Sequence, residues 1–279
     1  MIGSTRLARL KGALRNRLAA WGGPGLGGPR DGAPRVLCYH GVCVSPPDEW
    51  SVTPAQFREQ LAVLRGEASP VSLAQILSWL VEATPLPERA VAITFDDGYA
   101  DVFETAAPLL SAHGLTAAVF VVTGWLDGQK PHPSYRPSRP PLGWPQVREL
   151  HRSGFPIGSH TVSHPILARL STAQAWHELS VSKRRLDDEV FGNLPSSLTD
   201  LLAFPYGTGK TVTARDFDLA RKAGYKAAFL NAIGSLAPGQ HRFALPRCKV
   251  LGSDGAAVFR ASITGRLDLW RHIENRRFP

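Results

Sequence analysis

From Arg35 onward, short apolar runs rich in β-branched and aromatic residues alternate with longer segments whose apolar positions recur at three- and four-residue steps. The runs "RVLCYHGV", "AVAITF", "AAVFVV", "FPIGSH", "LLAFPYG", "KAAFL" and "LPRCKVL" have the length and composition of buried strands. Between them, helix-patterned residues fall at 54–65, 72–82, 102–113, 144–153, 171–190 and 214–223. Parallel strands need a crossover, usually a helix, so this alternation predicts a mainly parallel sheet, either a barrel or an open doubly wound sheet. Seven such units and the lack of a GxGxxG loop favour the barrel. No break in composition divides the segment, so residues 35–279 read as one α/β domain.

The residues before Arg35 differ in kind. Leu7, Leu10, Leu14, Leu18 and Trp21 recur at helical spacing with basic residues between them, which predicts a basic amphipathic helix over 1–21. Such a helix can lie on an anionic membrane surface, or pack on its own domain or on a partner. A Gly/Pro linker follows over 22–34. Six of the basic side chains behind the net charge of +9 fall in the first thirty residues, with no acidic one among them. The excess charge is therefore largely a tail property, and with no nucleic-acid motif the chain is not expected to bind nucleic acid. No secretory signal and no 18-residue apolar run is found, so a cytoplasmic protein is expected, peripheral on the inner membrane face if the helix binds lipid. Cys38, Cys43 and Cys248 are too few and too scattered for a disulfide framework or a Cys-rich zinc site.

In barrel enzymes chemistry sits where strands end at their carboxyl side. After "AVAITF" come Asp96 and Asp97, a pair that is either turn chemistry or a site for a cation. After "FPIGS" comes His160, with His164 four residues on, a spacing that lets two imidazoles share one face of a helical turn and one metal ion. After "LLAFP" come Tyr206 and Gly207. A His, His, Asp set leaves open coordination positions, as a catalytic site requires. Alternation along an extended strand would send the adjacent aspartates to opposite sides, one to the cation and one to serve as a base. Zinc is the default ion for such donors, with cobalt, nickel or iron as alternatives.

Together and in this order, "TFDDG", "SHTVSH" and "FPYG" resemble the first three motifs of the polysaccharide deacetylases, carbohydrate esterase family 4. The likeness runs from about Val36 to Leu267 and includes "VLCYHGV" and "FDLARKAGYKAA". It implies a distorted (β/α)7 barrel, with Asp96 as general base, Asp97, His160 and His164 as metal ligands, and the Tyr206 N–H polarising an acetyl carbonyl. The implied reaction is metal-dependent removal of an N-acetyl group from an amino sugar, an N-acetylated polysaccharide or a glycolipid. Two departures mark a divergent branch. Ala203 stands where many members carry an arginine, two residues before the proline of the third motif, and no Leu-x-His block supplies a general acid. Arg247, in "RFALPRCKVLG", is the candidate to take over part of the orienting role, and His241 and His272 are candidate acids on residue type alone. A deformylase or amidase acting on a lipid-linked sugar, and a non-catalytic carbohydrate-binding relative, are the alternatives. The Pro-rich stretch at 127–143 is a candidate substrate rim.

Overall fold

The computed structural model describes residues 32–45, 48–130, 139–192 and 200–268. The predicted helix at 1–21, nearly all of the linker after it, and His272 lie outside the described residues. Among the described residues ten strands are present: β1 (Arg35–Tyr39), β2 (Gly41–Val42), β3 (Ser51–Val52), β4 (Ser69–Pro70), β5 (Ala90–Phe95), β6 (Ala118–Val121), β7 (Ile157–Ser159), β8 (Leu201–Ala203), β9 (Ala227–Phe229) and β10 (Cys248–Lys249). Seven of them form a curled sheet in the order β10-β1-β5-β6-β7-β8-β9, every pair parallel. These are the seven runs read as strands. The sheet is a distorted barrel: between β9 and β10 it is closed only by the chain leading into β10, where Leu245 pairs with Phe229. β4 lies alongside the start of β5, and β2 pairs with β3 in a separate small ladder.

Side-chain alternation divides the core in two. Leu37, Tyr39, Val91, Ile93, Phe95, Val119 and Val121 pack outward against Phe57, Leu61 and Leu64 of the helix Pro54–Glu67 and Val147 and Leu150 of the helix Trp144–Arg152. Val36, Ala92, Phe120, Ala203, Phe229 and Leu245 fill the inside, where small alanines leave room for the two phenylalanines. Burial on both faces explains why β5 reads as an uninterrupted apolar run. Three helices start on capping boxes, Thr53 with Gln56, Ser72 with Gln75 and Ser171 with Gln174, which fix where each crossover begins. The predicted helix at 102–113 opens as a wider π-type turn, Val102–Ala106, and the one at 171–190 closes in another, Asp187–Phe191. The helix Ala256–Thr264 is an element that the periodicity reading omits.

Candidate metal centre and active site

Inside the barrel, residues 90, 92 and 94 of β5 point inward, and Asp96 continues their parity at the strand's end. Its carboxylate is buried and held from below by Arg247, which leads into β10: Nη1 donates to Oδ1 at 2.7 Å and Nη2 to Oδ2 at 2.6 Å. The guanidinium also donates to Thr94 Oγ1 at 3.1 Å and, through Nε, to the Leu230 carbonyl at 3.1 Å, and lies 5.6 Å and 5.9 Å from the ring centres of Phe120 and Phe229. Cys38, on the inner face of β1, places its Sγ 3.4 Å from Asp96 Oδ2. Burial would raise the Asp96 carboxyl, but the Arg247 guanidinium outweighs it and holds the group well below the usual carboxylate range.

Asp97 does not follow by alternation. Its φ is 71° and that of Gly98 is 74°, so the chain turns back over the strand end instead of continuing extended. The helical-turn reading of His160 and His164 is likewise replaced: both lie in a loop after β7, with Thr161 at φ 68° and His164 at φ 60°. Tyr206, with φ 61°, makes a fourth non-glycine residue in the left-handed region at this mouth. Each such residue costs on the order of 1–3 kcal/mol, a cost the surroundings must offset. For the histidine loop, Glu178 of the helix Thr172–Leu186 does much of this. Its carboxylate accepts the Val162 and Ser163 N–H groups at 2.9 Å each and the Ser163 hydroxyl at 2.6 Å.

The outcome is a compact donor set. The Nε2 atoms of His160 and His164 each lie 3.5 Å from Asp97 Oδ1, and all three residues are buried. Burial pushes both imidazoles down to about 4, so near neutral pH they are uncharged and these contacts are not ion pairs. The His160 Nδ1 lies 2.7 Å from the Ala203 carbonyl, which can only accept, so this nitrogen carries the proton and Nε2 keeps its lone pair for the centre. Nitrogen and oxygen ligands around one tetrahedral ion at about 2.0–2.2 Å lie roughly 3.4 Å from each other, so the spacing and the chemistry both fit a divalent cation.

Tyr206 packs its ring edge-on against His164, with centroids 4.8 Å apart, and stays 38% exposed at the rim. Gly207 next to it, at φ 52°, has the Asn231 N–H where a Cβ would stand, so a side chain there would displace the turn. The stretch at 127–143 is pinned at its exit: Ala100 N–H donates to the Pro140 carbonyl, Leu142 N–H to that of Gly98, and Arg139 stacks 3.9 Å over the Tyr99 ring and pairs with Asp101. Residues 131–138, which would form its rim, lie outside the described ones.

His241 is not brought to the site; it packs among Phe217 and Phe243. The imidazole that does reach it is His40, one residue past β1, a residue overlooked as a candidate. Donor atoms of Cys38, His40 and Asp96 lie within 4.8 Å of one another, and the His40 ring rests against Trp50. Its signal was its place, since it follows the first strand much as Asp96 follows β5.

The family model described as "Polysaccharide deacetylase" matches residues 83–228, just over half of the chain. The chain is 28% identical over 229 residues to YxkH of Bacillus subtilis, a protein carrying a polysaccharide deacetylase name, covering 82% of this chain and 75% of that one. Over 135 residues it is 38% identical to the poly-beta-1,6-N-acetyl-D-glucosamine N-deacetylase of Escherichia coli. That match covers 45% of this chain but only 20% of the E. coli protein. Among solved structures, the Streptococcus pyogenes deacetylase PplD in complex with acetate superposes with a TM-score of 0.70 at 23% identity, covering 84% of this chain and 98% of that one, which supports the fold.

Proposed function

The chain belongs to the polysaccharide deacetylase family, and from that premise we propose that it hydrolyses the acetamide of N-acetylglucosamine units in a glycan, releasing acetate and leaving an amine. A β-1,6-linked polymer is the first substrate to offer, since the E. coli relative is named for one. The observation that carries the reading is the buried Asp97, His160 and His164 set beside an aspartate that Arg247 fixes on both oxygens. Those three residues would hold zinc, or else cobalt, nickel or iron. When bound, such an ion acidifies water and polarises the acetyl carbonyl.

The protein's own groups supply the rest. Asp96 accepts a proton from the attacking water; a carboxylate held so far toward its ionised form is a weak base, so it suits an acidified water and not a bulk one. Arg247 acts on Asp96 as a positioning residue, entering from just before the last strand in place of the arginine absent at Ala203. The Tyr206 N–H, which donates to no group among the described residues, is the donor for the developing oxyanion. Loss of one such donor typically costs about 100- to 1000-fold in rate. His40 protonates the departing nitrogen. The basic segment at 1–21, whose spacing predicts an amphipathic helix, is proposed to hold the enzyme on anionic membranes, which predicts that deleting residues 1–30 abolishes co-sedimentation with anionic vesicles.

Metal analysis combined with acetate release from a panel of N-acetylated sugars, before and after chelation, tests the function. About one ion per chain and chelator-sensitive acetate release are expected. A bound ion without acetate from any of these sugars would overturn the substrate reading and direct the search to formyl or other amides.

A further inference from the structure

Trp50 has no place in the apolar core. It belongs to none of the hydrophobic clusters among the described residues, yet its position is closely fixed. Its backbone N–H donates to Asp48 Oδ1 at 3.0 Å, and the same oxygen accepts the Ser51 hydroxyl at 2.8 Å. The following residues enter β3, which is paired to β2 directly after His40. The indole therefore stands at the mouth, half-buried, with the His40 ring centroid 5.1 Å away and the Lys249 Nζ 5.9 Å from its own centroid. Its neighbours are polar groups at the carboxyl ends of β1 and β10.

Strand order places this aromatic relative to Tyr206, the exposed ring against His164. In the sequence β10-β1-β5-β6-β7-β8-β9, β1 and β8 are separated by three strands of a seven-strand ring. Trp50 beside β1 and Tyr206 after β8 thus stand on opposite sides, with the residues of the metal set, at the ends of β5 and β7, between them. A pyranose offers a flat C–H face framed by hydroxyls, and an aromatic ring backed by polar groups matches it: the ring covers the apolar face while neighbouring polar groups reach the rim. We infer that Trp50 is a sugar-stacking subsite for the glycan residue next to the one being hydrolysed, a reading that rests on the deacetylase function proposed above. Trp50 would then set a preference for chains over single sugars, whereas an indole that only braces His40 would slow every N-acetyl amide alike, chain or single sugar.

The test uses the metal-loaded full chain and three substrates: a β-1,6-linked N-acetylglucosamine trisaccharide; free N-acetylglucosamine, an amide that needs the same leaving-group proton but offers no neighbouring sugar; and 4-nitrophenyl acetate, which needs neither. Trp50→Ala is expected to raise the trisaccharide KM about tenfold, as loss of an aromatic anchor does, and to leave turnover of N-acetylglucosamine and of 4-nitrophenyl acetate unchanged. Trp50→Leu keeps apolar bulk behind His40 but lacks the flat face, so it should lose as much as alanine and decides the matter if the alanine variant is unstable. Trp50→Phe should recover most of the loss. Equal losses on the trisaccharide and on N-acetylglucosamine, or an unchanged trisaccharide KM, would overturn the subsite while leaving the deacetylase reading intact. Ester turnover by wild type with no acetate from the trisaccharide or any other N-acetylated glycan would overturn that reading and the subsite with it.

Discussion

Replacing Arg247 by methionine separates a structural ion pair from a catalytic device, because the residue is fully buried and both of its contacts with Asp96 are short, 2.7 and 2.6 Å. Methionine fills similar volume but leaves the carboxylate with the Cys38 thiol, 3.4 Å away, as its remaining protein donor. Removing one partner of a buried pair costs about 3–5 kcal/mol, since the other charge stays buried and uncompensated. At about 2–4 °C per kcal/mol for a domain of this size, the melting temperature of chelator-treated protein should fall by roughly 6–20 °C at pH 7. The pH dependence gives the sharper check. In the wild type the Asp96 pKa is depressed, so its contribution is fully present above the unfolded value of about 3.9 and is lost only below it. In the variant, burial has lost its main opponent and raises the pKa above that of the unfolded chain. The penalty is then complete above the new pKa and shrinks as pH falls toward about 4. Urea denaturation of both proteins at pH 7 and pH 4.5 should therefore show the gap narrowing at the lower pH, carboxylates common to both cancelling. A loss below about 1 kcal/mol at pH 7, or a gap unchanged at pH 4.5, would refute the reasoning.

The other expectations separate the remaining roles. Asp97→Ala and His164→Ala should lose the ion by metal analysis, whereas Asp96→Asn should keep it and lose acetate release; full activity in Asp96→Asn would remove the base. Glu178→Gln exchanges a carboxylate accepting three donors for an amide, and metal affinity by chelator competition should fall about 10- to 100-fold, as when a group orienting a ligand is lost. His40→Asn should lower kcat on the glycan by about 100-fold or more but spare 4-nitrophenyl acetate, whose leaving group needs no proton. Equal losses on the two would make His40 a structural residue.

What the sequence discloses and what it conceals divide along a physical line. Short apolar runs and helix spacing are properties of single segments, so the seven strands of the ring and six crossover helices could be read directly, as could the residue types at three strand ends, whereas the two-residue strands β3 and β4 could not. Backbone sign is not such a property. Glycine announces a left-handed φ, but Asp97, Thr161, His164 and Tyr206 adopt one because contacts from elsewhere hold them there, Glu178 from a helix being the plainest case for the histidine loop. The pairs Asp96-Asp97 and His160-His164 therefore looked like strand alternation and a helical turn, each a geometry the local spacing favours. Long-range partners are hidden for the same reason: Arg247 and Asp96 are 151 residues apart. His40 is the instructive case, because it needed no tertiary knowledge. The inward positions Ala90, Ala92 and Thr94 point to Asp96, and Val36 and Cys38 point in the same way to His40. In a parallel barrel, inward parity carried one residue past each strand thus finds this candidate acid where a search for the Leu-x-His motif does not.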